Sequence, residues 1–132
     1  MMFRLAMIIV GSVAMLPVAA SEPRDICDAP PQIAQQFGMT YREALRQARA
    51  LQEQGLAVLF RMSTSSQLDG AWAECYASNI RMLLDVWGDK PFAMVLRKQP
   101  ASVRKAQFRV LRDVALMDFS QRFPETFGAS YP

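Results

Sequence analysis

The residues of this chain able to do chemistry are few, and their spacing restricts what they can do. Histidine is absent, which removes the usual general base, the commonest zinc ligand and the usual axial haem ligand together. A Ser-His-Asp or Cys-His site therefore cannot be assembled within the chain. Ser102-Val103-Arg104-Lys105 reproduces the Ser-x-x-Lys spacing of penicillin-recognising serine enzymes, where a serine at a helix start faces a lysine one turn on. The companion Ser-Asp-Asn and Lys-Thr-Gly elements are missing, so Ser102 reads as an ordinary first-turn residue. Glu74 and Asp85 sit about three turns apart on one helical face, too far apart for paired acid–base work. The sequence therefore predicts no catalytic residue, no metal site and no cofactor.

Cys27 and Cys75 are the two cysteines. A redox-active pair brings its sulfurs together through close spacing such as Cys-x-x-Cys, whereas a bridge here closes a loop of about 49 residues and reads as a structural staple. That reading requires an oxidising compartment, and the N-terminus supplies the route to one. Met1–Arg4 carries one positive charge, Leu5–Leu16 is apolar, Pro17 breaks the run, and Val18-Ala19-Ala20 offers small residues for a signal peptidase. This order predicts a secretory signal peptide over residues 1–20. The apolar run is shorter than the roughly 20 residues a membrane span requires, so no stable span is expected after processing. The expected localisation is periplasmic or secreted.

Residues 21–132 amount to one domain's worth of chain. Arg4 lies in the leader, leaving 14 basic and 12 acidic side chains, a balance too mild to point to nucleic acid. The cations are unevenly placed, with eight basic and four acidic side chains from residue 89 onward. Arg42, Arg46 and Arg49 make one helical stripe, and Lys105, Arg109 and Arg112 fall within about 60° of one another on another. Such stripes are solvated faces, or electrostatic surfaces for an acidic protein, an anionic lipid or a cell-wall polymer.

The elements that must carry these residues are helical. Residues 21–30 are polar and proline-bearing, and read as an extended strap. A short helical turn from Pro31 to Phe37 ends at Gly38. Thr40 and Glu43 form the signature of a capping box, after which apolar residues recur on one face from Tyr41 to Met62. The retained phase predicts one continuous helix to about Ser63, with Gly55 as a weak or close-packing point. Ser63–Gly70 is a loop by composition. Trp72, Cys75, Tyr76, Asn79, Ile80, Leu83 and Trp87 then predict a helix from Ala71 to Trp87, with Arg81 and Asp85 spaced for an ion pair. Asn79 on that apolar stripe must find hydrogen-bond partners.

Asp89-Lys90-Pro91 reads as an N-cap opening a short helix to about Lys98. A last helix is predicted over Ala101–Arg122, with Val103, Ala106, Val110, Val114 and Met117 as its core stripe and Leu111 and Phe108 widening it. Pro124 is expected to stop it, leaving an aromatic tail over 123–132 that packs back on the fold. No alternating run or Asn-Gly hairpin suggests a strand. The fold class is all-α, expected as a compact antiparallel bundle of three long and one or two short helices with a strap tied by the disulfide.

These features suggest an exported, non-enzymatic protein that binds another envelope protein with an acidic surface, such as an inhibitor or immunity protein. A helical module for a small ligand or lipid, with an apolar cavity lined by Trp72, Trp87 and methionines, is the second expectation.

Overall fold

The computed structural model describes residues 27–115 and 118–131; the leader expected over 1–20 and most of the strap lie outside them. Eight α-helices and no strand occur among the described residues: α1 (Gln32–Phe37), α2 (Tyr41–Arg49), α3 (Glu53–Met62), α4 (Gly70–Trp87), α5 (Asp89–Arg97), α6 (Ala101–Val114), α7 (Phe119–Arg122) and α8 (Pro124–Ser130). The all-α class is as read from the sequence, but the helices are more numerous and shorter than expected.

Local chemistry sets several boundaries. Gly38, at φ 73°, ends α1, and its amide donates to the Ala34 carbonyl, an arrangement that suits a residue without a Cβ. Thr40 caps α2, its hydroxyl accepting from the Glu43 amide at 3.1 Å. The Glu43 carboxylate does not complete a capping box; it accepts from Arg46 at 2.6 Å and from Gln47 at 3.2 Å.

The continuous helix expected over 40–63 is instead two helices. The chain turns at Ala50–Gln52, where Leu51 adopts φ 61°, and α3 folds back on α2. Gly55 explains the closeness of this hairpin. A Cβ there would stand 2.7 Å from the Ala44 carbonyl oxygen and 2.8 Å from the Ala48 amide nitrogen, and would collide with the Gln47 Cβ. The periodicity survives the turn because both helices bury the face that the single helix would have buried.

α4 spans the molecule's middle and packs against α2, α5 and α6. Tyr76, Ile80, Leu83 and Leu84 are buried there, with Leu56, Leu59, Phe60 and Met62 from α3, Phe92 and Leu96 from α5, and Leu111 from α6. Phe60 and Phe92 meet edge-on, with ring centroids 5.0 Å apart.

The C-terminal third departs most from expectation. α6 ends at Val114 rather than Arg122, and its buried positions are Val103, Gln107 and Leu111, continued by Ala115. The core stripe is thus rotated from the one expected: Ala106, Val110 and Val114 are half-buried, and Met117 lies outside the described residues. Pro124 does not close a helix but occupies the first turn of α8, where a missing amide hydrogen costs nothing.

The expected tail is therefore largely helical, and α8 packs on α5 and α6. Asp89 holds it there. Its carboxylate accepts from the Glu125 and Thr126 amides at 2.9 and 2.8 Å, and its carbonyl accepts from the Thr126 hydroxyl at 3.2 Å. Asp89 was expected to cap its own helix. Gly88 holds that position, and the Asp89 carboxylate satisfies exposed amides of α8 instead.

Candidate functional site

The two cation stripes are carried by helices that both rest on α3 and α4. Arg42, Arg46 and Arg49 on α2 are exposed, as are Lys105, Arg109 and Arg112 on α6. Arg46 pairs with Glu43 at 2.6 Å. Hydrogen bonds from Arg46 and Gln47 hold the Glu43 carboxyl down to about 2, and the same Glu43 contact raises the Arg46 guanidinium. Arg112 approaches its neighbour Asp113 at 3.4 Å. Arg49, Lys105 and Arg109 make no ion pair among the described residues. Exposed pairs of this kind contribute little to stability, and Arg49, Lys105 and Arg109 are available to a charged surface.

The residues weighed for catalysis are dispersed. Ser102 lies exposed on the first turn of α6 and Lys105 exposed on its second, and Glu74 lies exposed on α4. Asp85 makes the ion pair with Arg81 that their spacing predicted, at 2.7 Å. The Arg81 guanidinium also lies over the Phe123 ring, 4.7 Å from its centroid, tying α4 to the chain between α7 and α8.

Cys27 and Cys75 form a disulfide, with Cα atoms 6.0 Å apart, a separation typical of such bonds. The bond joins the start of the described chain to α4. Beside it lies a shallow cleft of about 170 Å³ walled by Ala29, Pro31, Ile33, Tyr41 and Arg42, and a second cleft of about 280 Å³ lies between Ala101, Arg104 and Lys105 of α6 and Ser130–Tyr131. Both fall below the roughly 300–1,000 Å³ of usual small-molecule sites. Neither is lined by Trp72 or Trp87, the residues expected to wall a ligand cavity. Trp72 packs edge-on against Tyr41 and Tyr76. The Trp87 indole donates to the Ala48 carbonyl at 2.8 Å.

A polar network runs through the core beside these aromatics. The Tyr76 hydroxyl donates to the Leu59 carbonyl at 2.5 Å and accepts from Gln107 Nε2 at 2.6 Å. A hydroxyl has one proton to give, so the Gln107 amide must present its NH₂ to Tyr76. Asn79 donates to the Tyr41 hydroxyl at 2.7 Å, the partner its place on an apolar stripe required. Burial pushes the Tyr41 hydroxyl up to about 12 against the opposing Asn79 bond, and burial raises Tyr76 as well. The network joins α2, α3, α4 and α6 and has the character of a register device. Gln107 escaped the sequence reading because polarity placed it outside the expected stripe, although Val103, Gln107 and Leu111 repeat at four-residue intervals.

No family model matches the chain, nor does any curated protein or solved structure. Among the described residues no helix is long and apolar enough to cross a membrane.

Proposed function

We propose that this chain is a non-enzymatic protein exported to the cell envelope, periplasmic or secreted, where it binds a protein with an acidic surface as an inhibitor or immunity protein does. The observation that carries the reading is the exposure of all six stripe cations on two rigid helices, with Arg49, Lys105 and Arg109 uncompensated by any ion pair among the described residues. Such charges steer association with an oppositely charged protein and fix its register. The disulfide supports an oxidising compartment.

Capture of partners from envelope extracts tests this at about 0.1 M and 1 M salt, where the screening length falls from roughly 10 to 3 Å. The partner is expected at low salt and lost at high salt. Replacing Arg49, Lys105 and Arg109 together by Glu is expected to lower capture at least about tenfold. Capture that ignores both salt and the triple substitution overturns the proposal.

A further inference from the structure

We propose that the end of the fold built from the α2–α3 turn, the end of α4 and the outer face of α5 docks onto an anionic lipid surface, with Leu51 as its inserted anchor. Leu51 is the residue whose side chain the fold does not use. It holds φ 61°, a conformation that Gly or Asn adopts at low cost and leucine does not, and its side chain is 58 % exposed. Its backbone closes α2, the Leu51 and Gln52 amides donating to the Ala48 and Gln47 carbonyls at 3.0 and 2.9 Å. Its side chain adds nothing to the core, and an exposed leucine kept where glycine is the usual residue points to use elsewhere.

Other apolar groups gather at the same end. The Leu51 amide and the Trp87 indole both donate to the Ala48 carbonyl, at 3.0 and 2.8 Å, so the two residues meet at the end of α2. Val86 beside Trp87 is 48 % exposed. Lys98 Nζ reaches Glu53 Oε1 at 2.6 Å, bringing the last turn of α5 against the start of α3, and Met94, one turn earlier on that face, is 59 % exposed. Leu51, Val86 and Met94 are three of the four exposed large hydrophobics among the described residues.

The charges around them are mixed, with cations in slight excess. Arg49 and Lys90 make no ion pair among the described residues. Of the nearby acids, Glu53 and Asp85 are paired with Lys98 and Arg81, and Asp89 keeps its charge but turns its carboxylate to the amides of α8. Projecting aliphatic side chains, a partly buried tryptophan with its N–H satisfied, and Lys and Arg at the rim are what an anionic interface selects. The proposal stands apart from the protein partner above, since that interaction can fail without changing binding to lipid.

The test uses protein recovered from the envelope of cells expressing the whole chain. It is sedimented with vesicles of phosphatidylcholine containing phosphatidylglycerol and with vesicles of phosphatidylcholine alone. Binding is expected to the anionic vesicles only and to weaken with salt. Leu51→Asn is expected to lower partitioning about tenfold while leaving the thermal midpoint equal or higher, because the left-handed backbone is relieved. Met94→Gln, at an exposed helical position, supplies a second apolar loss, and Lys90→Gln is expected to cost about fivefold. Absence of vesicle binding, equal binding to both vesicles, or wild-type binding by both Leu51→Asn and Met94→Gln overturns the proposal. Capture on immobilised polyglutamate without vesicle binding overturns it in favour of an acidic polypeptide.

Discussion

Tyr41 and Tyr76 keep their hydroxyls beside the core and spend them differently. Tyr76 is fully buried and bonded on both sides, to Leu59 and Gln107, whereas Tyr41 receives a single bond from Asn79. Burial disfavours the phenolate in both, lifting Tyr41 from 10.0 to about 12. The sign of the consequence follows from proton counting. Below pH 10 the folded and unfolded chains both hold the proton and the contribution is complete. Between 10 and about 12 the unfolded chain releases it while folded Tyr41 retains it, so stability falls as pH rises. Urea denaturation followed across that window is expected to show a progressive loss, with Tyr41 accounting for about 2 kcal/mol. Tyr41→Phe should have a visibly shallower alkaline slope; a slope identical to wild type contradicts the assignment.

At the scale of elements, legibility in the sequence depended on whether a boundary had local chemistry. Gly38, Thr40, Gly70 and Gly88 are residues that start or stop helices by their own conformational preference, and the helix ends fall beside them. The α2–α3 turn has no such marker: Leu51 is a good helix former, and the apolar phase runs through it unbroken. The role of Asp89 was equally hidden, because its amide partners lie 36 and 37 residues away. Gln107 reversed the rule that core stripes are apolar, since its amide is satisfied on one side by a hydroxyl from another helix. Gly55 was the one signal of the hairpin present in the sequence, where it could be read either as a helix weak point or as a close approach. The close approach is now a measurable claim. Gly55→Ala places a methyl against Ala44 and Ala48 backbone atoms, and the hairpin must open to admit it. A loss of about 1–3 kcal/mol is expected in denaturant unfolding, whereas the same change at Gly128, where a Cβ meets nothing within 4 Å, should be neutral or mildly stabilising. Equal effects at the two glycines would show that α2 and α3 are not so closely apposed.

Over the whole molecule, one covalent bond links an N-terminal segment without helix to the central helix. Residues 27–30 carry no regular structure, and α1 is only six residues long with Ile33 its sole buried side chain. Hydrophobic burial alone gives this segment little hold. The Cys27–Cys75 bond, spanning 48 residues, removes roughly 4 kcal/mol worth of chain entropy from the unfolded state in the loop-closure estimate. That is a large share of the roughly 5–15 kcal/mol that stabilises a domain. Protein recovered from an oxidising compartment is therefore expected to titrate no free thiol until reduced, and two thereafter. Reduction, or replacement of both cysteines by serine, should lower the thermal midpoint by about 15–25 °C. The effect should concentrate first at the N-terminus, with amide exchange in α1 accelerating before exchange in α4. Uniform acceleration would mean that the staple supports the whole core rather than its N-terminal layer, and an unchanged midpoint would show that α1 docks without it.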